Sequence, residues 1–267
     1  VFVHGLGGDG RGTWHPEEKK DDDKFWPFWL GEELDDVGIW TLGYEVEPTR
    51  WKGNAMPLVE RAINALSVLD LEEIGERPVV FITHSMGGLL VKQMLRHALD
   101  FNNPLWQKIA EQTKGIVYLS TPHSGADLAS WTKYIGSIVG RTVSLEELEA
   151  HHPRLLELNE LYRNRDRLKQ IPIEVYYEKE KTMGFLVVNS TSANPGSPGV
   201  TPIPLDCNHI NISKPVSRKE FLYRRVKRFV GECLPNKPLP PLHSIERIPQ
   251  EEEIPVEDRS SETKKKT

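Results

Sequence analysis

Two hydrophobic rhythms alternate along this chain. Val1–Val3, Ile39–Tyr44, Val79–Thr83, Gly115–Ser120 and Ile171–Tyr177 are short, mostly apolar runs, the pattern of strands buried on both faces. Between them, Leu58, Ala62, Ala65, Leu66 and Leu69 recur at helical spacing within Pro57–Leu69, and Leu89, Val91, Leu95 and Leu99 do so within Gly88–Leu99. Runs and helical patterns taken in turn predict an α/β fold, a mostly parallel central sheet with helices on both faces. Ser130–Arg167 breaks the alternation. Trp131, Ile135, Leu145, Leu148, Leu155, Leu158 and Leu161 fall at helical spacings around a break at "HHP", residues 151–153. This predicts a helical cap insertion, 130–167, over one end of the sheet. Residues 189–206, rich in Pro, Gly and Ser, predict an irregular loop. Residues 217–232 predict a last helix, with Ser217 and Glu220 at capping-box spacing and Phe221, Leu222, Val226, Phe229 and Val230 as its apolar face. From 234 to 267 the composition turns to proline and mixed charge, a linker or disordered tail. The domain is therefore expected to span residues 1–233.

Length and charge narrow the function classes. At 267 residues and 38% hydrophobic content, one large domain with a substantial core is within reach. A net charge of −5, with no basic block inside the predicted domain, gives no reason to expect a nucleic-acid partner. The two cysteines, Cys207 and Cys233, make neither a disulfide framework nor a zinc spacing. They favour a reducing compartment and leave room for one bridge. No apolar run approaches the ~20 residues of a membrane span. Val1 begins in the middle of a predicted strand, so the natural chain is expected to continue upstream, taking any targeting segment with it.

The chemistry concentrates in "FITHSMGGLLV", residues 81–91. A serine hydroxyl is a poor nucleophile until a base takes its proton, and it must stand clear of the backbone to meet a carbonyl carbon. A sharp strand–turn–helix achieves both, provided the residues two before and two after the serine are small. Thr83-His84-Ser85-Met86-Gly87 meets this with one departure, Thr in the first small position. The Met86 N–H, at the start of the following helix, is one candidate donor to a developing oxyanion. The Leu6 N–H, in the glycine-rich turn His4-Gly5-Leu6-Gly7-Gly8 after the first strand, is the other. That turn lacks the order and the Lys-Ser/Thr of phosphate-binding loops.

These stretches, with "TLGYE" (41–45), "IVYLSTPHSGADLA" (116–129) and "IPLDCNHINI" (203–212), resemble the α/β-hydrolase superfamily. Within it they resemble the lipase-like branch of serine-active-site-containing and GPI inositol-deacylase-like proteins. The resemblance runs from Val1 to about Val230. It implies the α/β-hydrolase fold and a hydrolase of lipid, phospholipid or other acyl esters, or an acyltransferase built on the same acyl-enzyme. Similar domains also stand at the front of multidomain signalling proteins. An intracellular setting with mitochondrial or ER membrane association is implied as well; the residues themselves carry no address and no oligomeric state.

Nine histidines compete for the base. His84 adjoins Ser85, but side chains of consecutive residues on a sharp turn diverge. His4 belongs to the glycine turn, where it is placed to brace the loop. His123 follows a strand at the same sheet edge, in a loop that shapes the pocket in resembling lipases. His15, His97, His151, His152 and His243 are expected at the surface. His209 follows the last strand-like segment, in the Ser…acid…His order of this fold, and is the leading candidate. Glu178, at the end of Ile171–Glu178, leads for the acid, with Glu180 and Asp206 as rivals. Gly5, His4, His84 and His123 are the candidate pocket residues.

Phe25-Trp26-Pro27-Phe28-Trp29-Leu30 is a dense aromatic run, expected as core packing at a helix start, with an acyl pocket or lipid contact as the alternative. Arg218, Lys219, Arg224, Arg225, Lys227 and Arg228 give the last helix a basic face, a solvated surface or an attraction to anionic lipid. The partner expected is thus a lipid or acyl ester, with peripheral membrane contact; no metal or organic cofactor is implied. A sensor module without catalysis would have no need for the serine, the histidine and the glycine turn together.

Overall fold

The computed structural model describes residues 1–19, 22–44, 58–124, 128–139 and 152–234. His151, His243, residues 140–151 of the expected insertion and the tail from 235 lie outside these described residues. The chain runs β1 (Phe2–Val3), α1 (Trp26–Glu33), β2 (Thr41–Leu42), α2 (Leu58–Leu71), β3 (Val79–His84) and α3 (Met86–Asp100). It continues through α4 (Pro104–Gln112), β4 (Thr113–Leu119), α5 (Leu128–Val139), α6 (His152–Asn164) and α7 (Asp166–Lys169). It closes with β5 (Ile173–Glu178), α8 (Ser190–Ala193), β6 (Ile203–Leu205) and α9 (Phe221–Cys233).

Among the described residues all six strands are parallel, in the order β2-β1-β3-β4-β5-β6. The chain leaves β1 in one direction and β3 in the other, so the topological switch point lies between these two strands. Open α/β sheets bind their ligands in the crevice beyond such a point, at the carboxyl ends of the strands. Here that crevice is where the glycine turn and Ser85 emerge.

Period-two alternation sends successive strand residues to opposite cores. Val79, Phe81, Ile116 and Tyr118 pack with α2, α3 and α4. Val80, Ile82, Val117 and Leu119 pack with α1 and α9. Both faces are covered, which is why these strands read as unbroken apolar runs. The aromatic run belongs to the second core. Trp26 meets Phe2 edge-on at 4.9 Å and Tyr223 at 6.3 Å, and Trp29 meets Tyr223 at 5.5 Å, while Phe28 is exposed. Edge-to-face pairs of this kind add to plain burial.

Local expectations need correction, beginning with two histidines: His15 and His97, expected at the surface, are buried. The last helix begins at Phe221, with Glu220 and not Ser217 as its N-cap. The Glu220 carboxylate reaches back to accept from the Val216 N–H, and the Ser217 carbonyl accepts from the Glu220 N–H, so these residues form a turn before the helix. Residues 189–206 hold α8 and the edge strand β6 in addition to loop. Arg218, in the turn before α9, and Lys227 on the helix pair with α1 carboxylates; Arg225 pairs with Glu174 of β5, and Arg228 with Glu232. Cys207 and Cys233 are free and half-buried.

Candidate active site

Ser85 occupies the bend between β3 and α3 at φ 52° and ψ −122°, a conformation L-residues rarely adopt, and is 1% exposed. Backbone strain of this kind persists where the surroundings over-determine it. The Ser85 N–H donates to the Leu119 carbonyl (2.8 Å), and the Ser85 carbonyl accepts from Thr121 Oγ1 (3.1 Å). The bend leaves no space around it. A Cβ on Gly87 would lie 2.3 Å from the Val3 carbonyl oxygen, and one on Gly5 would lie 2.9 Å from the Ser85 Cβ. Thr83, the departure from a small residue, fits because its buried hydroxyl donates to the Val117 carbonyl of the next strand (2.9 Å).

Three side chains from distant parts of the chain meet here. His209 Nε2 lies 3.0 Å from Ser85 Oγ, and His209 Nδ1 lies 3.3 Å from Glu178 Oε1. A carboxylate can only accept, so the proton sits on Nδ1 and the Nε2 lone pair faces the serine hydroxyl. Both His209 and Glu178 are fully buried. Burial alone would raise the Glu178 carboxyl; hydrogen bonds from His209, Ser120 and the Val188 N–H outweigh it and hold the group below its ordinary value. The Val188 N–H donates to Oε1 at 2.6 Å, and the Ser120 hydroxyl donates to Oε2. Of the rival acids, Asp206 is exposed and pairs with Lys179, and Glu180 is exposed.

The loop carrying His209 is fastened along its length. Its own N–H donates to Thr182 Oγ1 (3.0 Å), and its carbonyl accepts from His84 Nε2 (2.8 Å). Four residues on, the Ser213 carbonyl accepts from Trp26 Nε1 and the Ser213 hydroxyl donates to the Thr13 carbonyl, both at 2.8 Å. From α5, the Tyr134 ring meets the His209 imidazole edge-on at 4.6 Å. α6 is tied to α3 by a buried bond from Lys92 Nζ to Asn159 Oδ1 (2.7 Å). Burial without a carboxylate partner pushes Lys92 down to about 7.

The remaining candidates fall around this centre. Gly5 abuts Ser85, and the Gly5–Gly8 turn closes through the Gly8 N–H with Gly7 at φ 71°. The Met86 N–H stands in the first turn of α3, where amides have no acceptor within the helix. His4 is buried, stacked on Tyr44 at 4.3 Å, with Nδ1–H donating to the Gly5 carbonyl at 2.9 Å. Burial lowers its pKa. His123 is fully buried and meets Tyr118 edge-on at 4.6 Å. Sequence reasoning gave no role to Ser120, Thr182 or Tyr134. Ser120 had a signal, since it follows β4 directly beside the Glu178 strand end; the other two had none.

No family model matches the chain. Human protein SERAC1 is 31% identical over 257 residues, and the mouse and zebrafish SERAC1 proteins are each 30% identical over 257 and 258 residues. Each match takes in 88% of this chain. The chain is SERAC1-like. It spans under two-fifths of the length of these relatives, 38% of the human one. Among solved structures, the Bacillus licheniformis lipase BlEst2 superposes with a TM-score of 0.57 at 14% identity, covering 88% of this chain and 91% of that one. Legionella pneumophila phospholipase PlaB superposes with a TM-score of 0.50 at 19% identity, covering 73% of this chain and 44% of that one. The SERAC1-like chain thus has the α/β-hydrolase fold, with a lipase and a phospholipase among its structural neighbours. No helix among its described residues is long and apolar enough to cross a membrane.

Proposed function

We propose that this SERAC1-like domain is a serine esterase that cleaves lipid acyl esters through an acyl-enzyme on Ser85. The observation that carries the reading is the unbroken contact from Ser85 Oγ to His209 Nε2 (3.0 Å) and from His209 Nδ1 to Glu178 (3.3 Å). Ser85 Oγ attacks the ester carbonyl carbon while His209 Nε2 takes its proton. Glu178 keeps the Nδ1–H tautomer in place and stabilises the imidazolium that forms. The Leu6 and Met86 N–H groups receive the carbonyl oxygen as it becomes anionic. His209 returns the proton to the departing alkoxide, which leaves as the alcohol. Water, deprotonated by the same nitrogen, then attacks the acyl carbon and frees the acid and the serine.

Two features favour an apolar acyl substrate. Met183 and Ile210, both exposed, flank the His209 loop, Met183 from the turn whose Thr182 holds the His209 N–H and Ile210 as the next residue in the chain. The neighbours BlEst2 and PlaB are a lipase and a phospholipase by name. The test is hydrolysis of p-nitrophenyl esters of increasing chain length by the purified chain. Activity that disappears in Ser85→Ala supports the reading. Activity unchanged in that variant, or absent from the folded wild type, overturns it.

A further inference from the structure

The strand geometry of β3 separates His84 from its neighbour. His84 continues the face of Val80 and Ile82, toward the core beneath α9, while Ser85 leaves the strand at the bend. On that face it meets the His209 loop from below. Its Nε2 lies 2.8 Å from the His209 carbonyl oxygen, and the two rings are 5.0 Å apart. A carbonyl oxygen only accepts, so His84 holds its proton on Nε2. Together with the Thr182 hydroxyl on the N–H side (3.0 Å), this places one hydrogen bond on each of the two main-chain polar groups of His209.

We infer that His84 is a positioning residue: it acts through the main chain of His209, pinning the carbonyl so that the imidazole stays within proton-transfer range of Ser85. The inference rests on the esterase reading. The requirement it meets is strict, because an ångström of misplacement at a reacting pair costs catalysis far more than it costs binding. The group suited to the task is a donor that stays uncharged beside an imidazole that becomes cationic in the reaction. His84 is 6% exposed. Desolvation, then the neighbouring His209, drive its pKa down to about 3, so it remains a neutral N–H donor throughout the working range. A charged donor there would oppose the imidazolium.

A pair of substitutions of equal length separates the hydrogen bond from the packing. Glutamine can bring its amide N–H to the place of Nε2–H; methionine fills similar space and donates nothing. In His84→Met, kcat for p-nitrophenyl butyrate should fall by about tenfold or more with KM within about twofold, and His84→Gln should recover most of the loss. Wild-type kcat in His84→Met, or an equal loss in both variants, overturns the inference while leaving the esterase reading in place. A wild type with no esterase activity overturns both. Should His84→Met not fold, ¹⁵N NMR of the wild-type imidazoles decides instead. The Nε2–H tautomer held without titration from pH 5 to 9 supports the inference, and an Nδ1–H tautomer, or a midpoint near 6.5, overturns it.

Discussion

The loop after β4 and the loop after β6 each carry a fully buried histidine, His123 and His209, to the carboxyl edge of the same sheet. His209 has a partner at each ring nitrogen and at both main-chain polar groups. Neither ring nitrogen of His123 has a hydrogen-bond partner among the described residues, and burial, with Lys92 nearby, holds its pKa well below the ordinary value. Position in the fold is thus shared between the two loops, and what differs is the set of side chains each meets. A base needs an acceptor to orient one nitrogen and a nucleophile at the other. His209 has both. His123 instead presents its ring as an apolar body against Tyr118.

The comparison breaks most visibly when the two rings are removed. His209→Ala should lower kcat by about 10⁴, whereas His123→Phe, which keeps the edge contact with Tyr118, should cost less than about tenfold. Comparable losses in steady-state assays would erase the distinction. Glu178→Gln leaves the shape intact but removes the charge that holds the His209 tautomer, and a fall of about 10³ is expected. Asp206→Asn and Glu180→Gln, whose side chains are exposed, should stay within about twofold in the same assay.

Ser120→Ala removes one donor from a carboxylate already depressed by its hydrogen bonds. The Glu178 pKa should rise, read directly from its carboxyl carbon in an NMR titration. An unmoved midpoint would deny Ser120 its part in holding the ionised form.

The smallest effects concern stability. His84 and His123 are both depressed from 6.5 when folded. Below pH 6.5 the unfolded chain takes up protons that the native state refuses, so stability is lost as pH falls, by about 1.4 kcal/mol per pH unit for each such histidine. In denaturant melts between pH 6.5 and 5, His123→Phe should flatten that dependence by one proton. It should also hold or raise the thermal midpoint, because two buried nitrogens without partners are removed. A lower midpoint with an unchanged slope would point to a partner that the ring nitrogens need.

Much of this was legible before the fold was known, and the physical reason is periodicity. β3, β4 and β5 are long enough to be covered on both faces, and the spacing of Leu58 to Leu69 left α2 little alternative. β6 was missed because three residues centred on an exposed Pro204 are too short a run to establish a period, and an edge strand tolerates proline. α4 was missed although Asn103-Pro104 is a strong start signal, with the Asn103 side chain accepting from the Leu105 N–H. Ser85 was legible because its bend forces small neighbours. Glu178 could not be separated from Glu180 and Asp206, since burial of one carboxylate among three is decided by the strand end and by the chain that returns over it through Val188. The fastening of His209 by Thr182 and His84 depends on contacts between remote segments that no local pattern encodes.

The most direct test of the central claim is to treat the folded chain with a fluorophosphonate and map the adduct by mass spectrometry. A single phosphonyl group on Ser85, lost in His209→Ala while His123→Phe still takes it up, is the predicted result. An adduct on another residue, or equal labelling of Ser85 with and without the His209 imidazole, would contradict it.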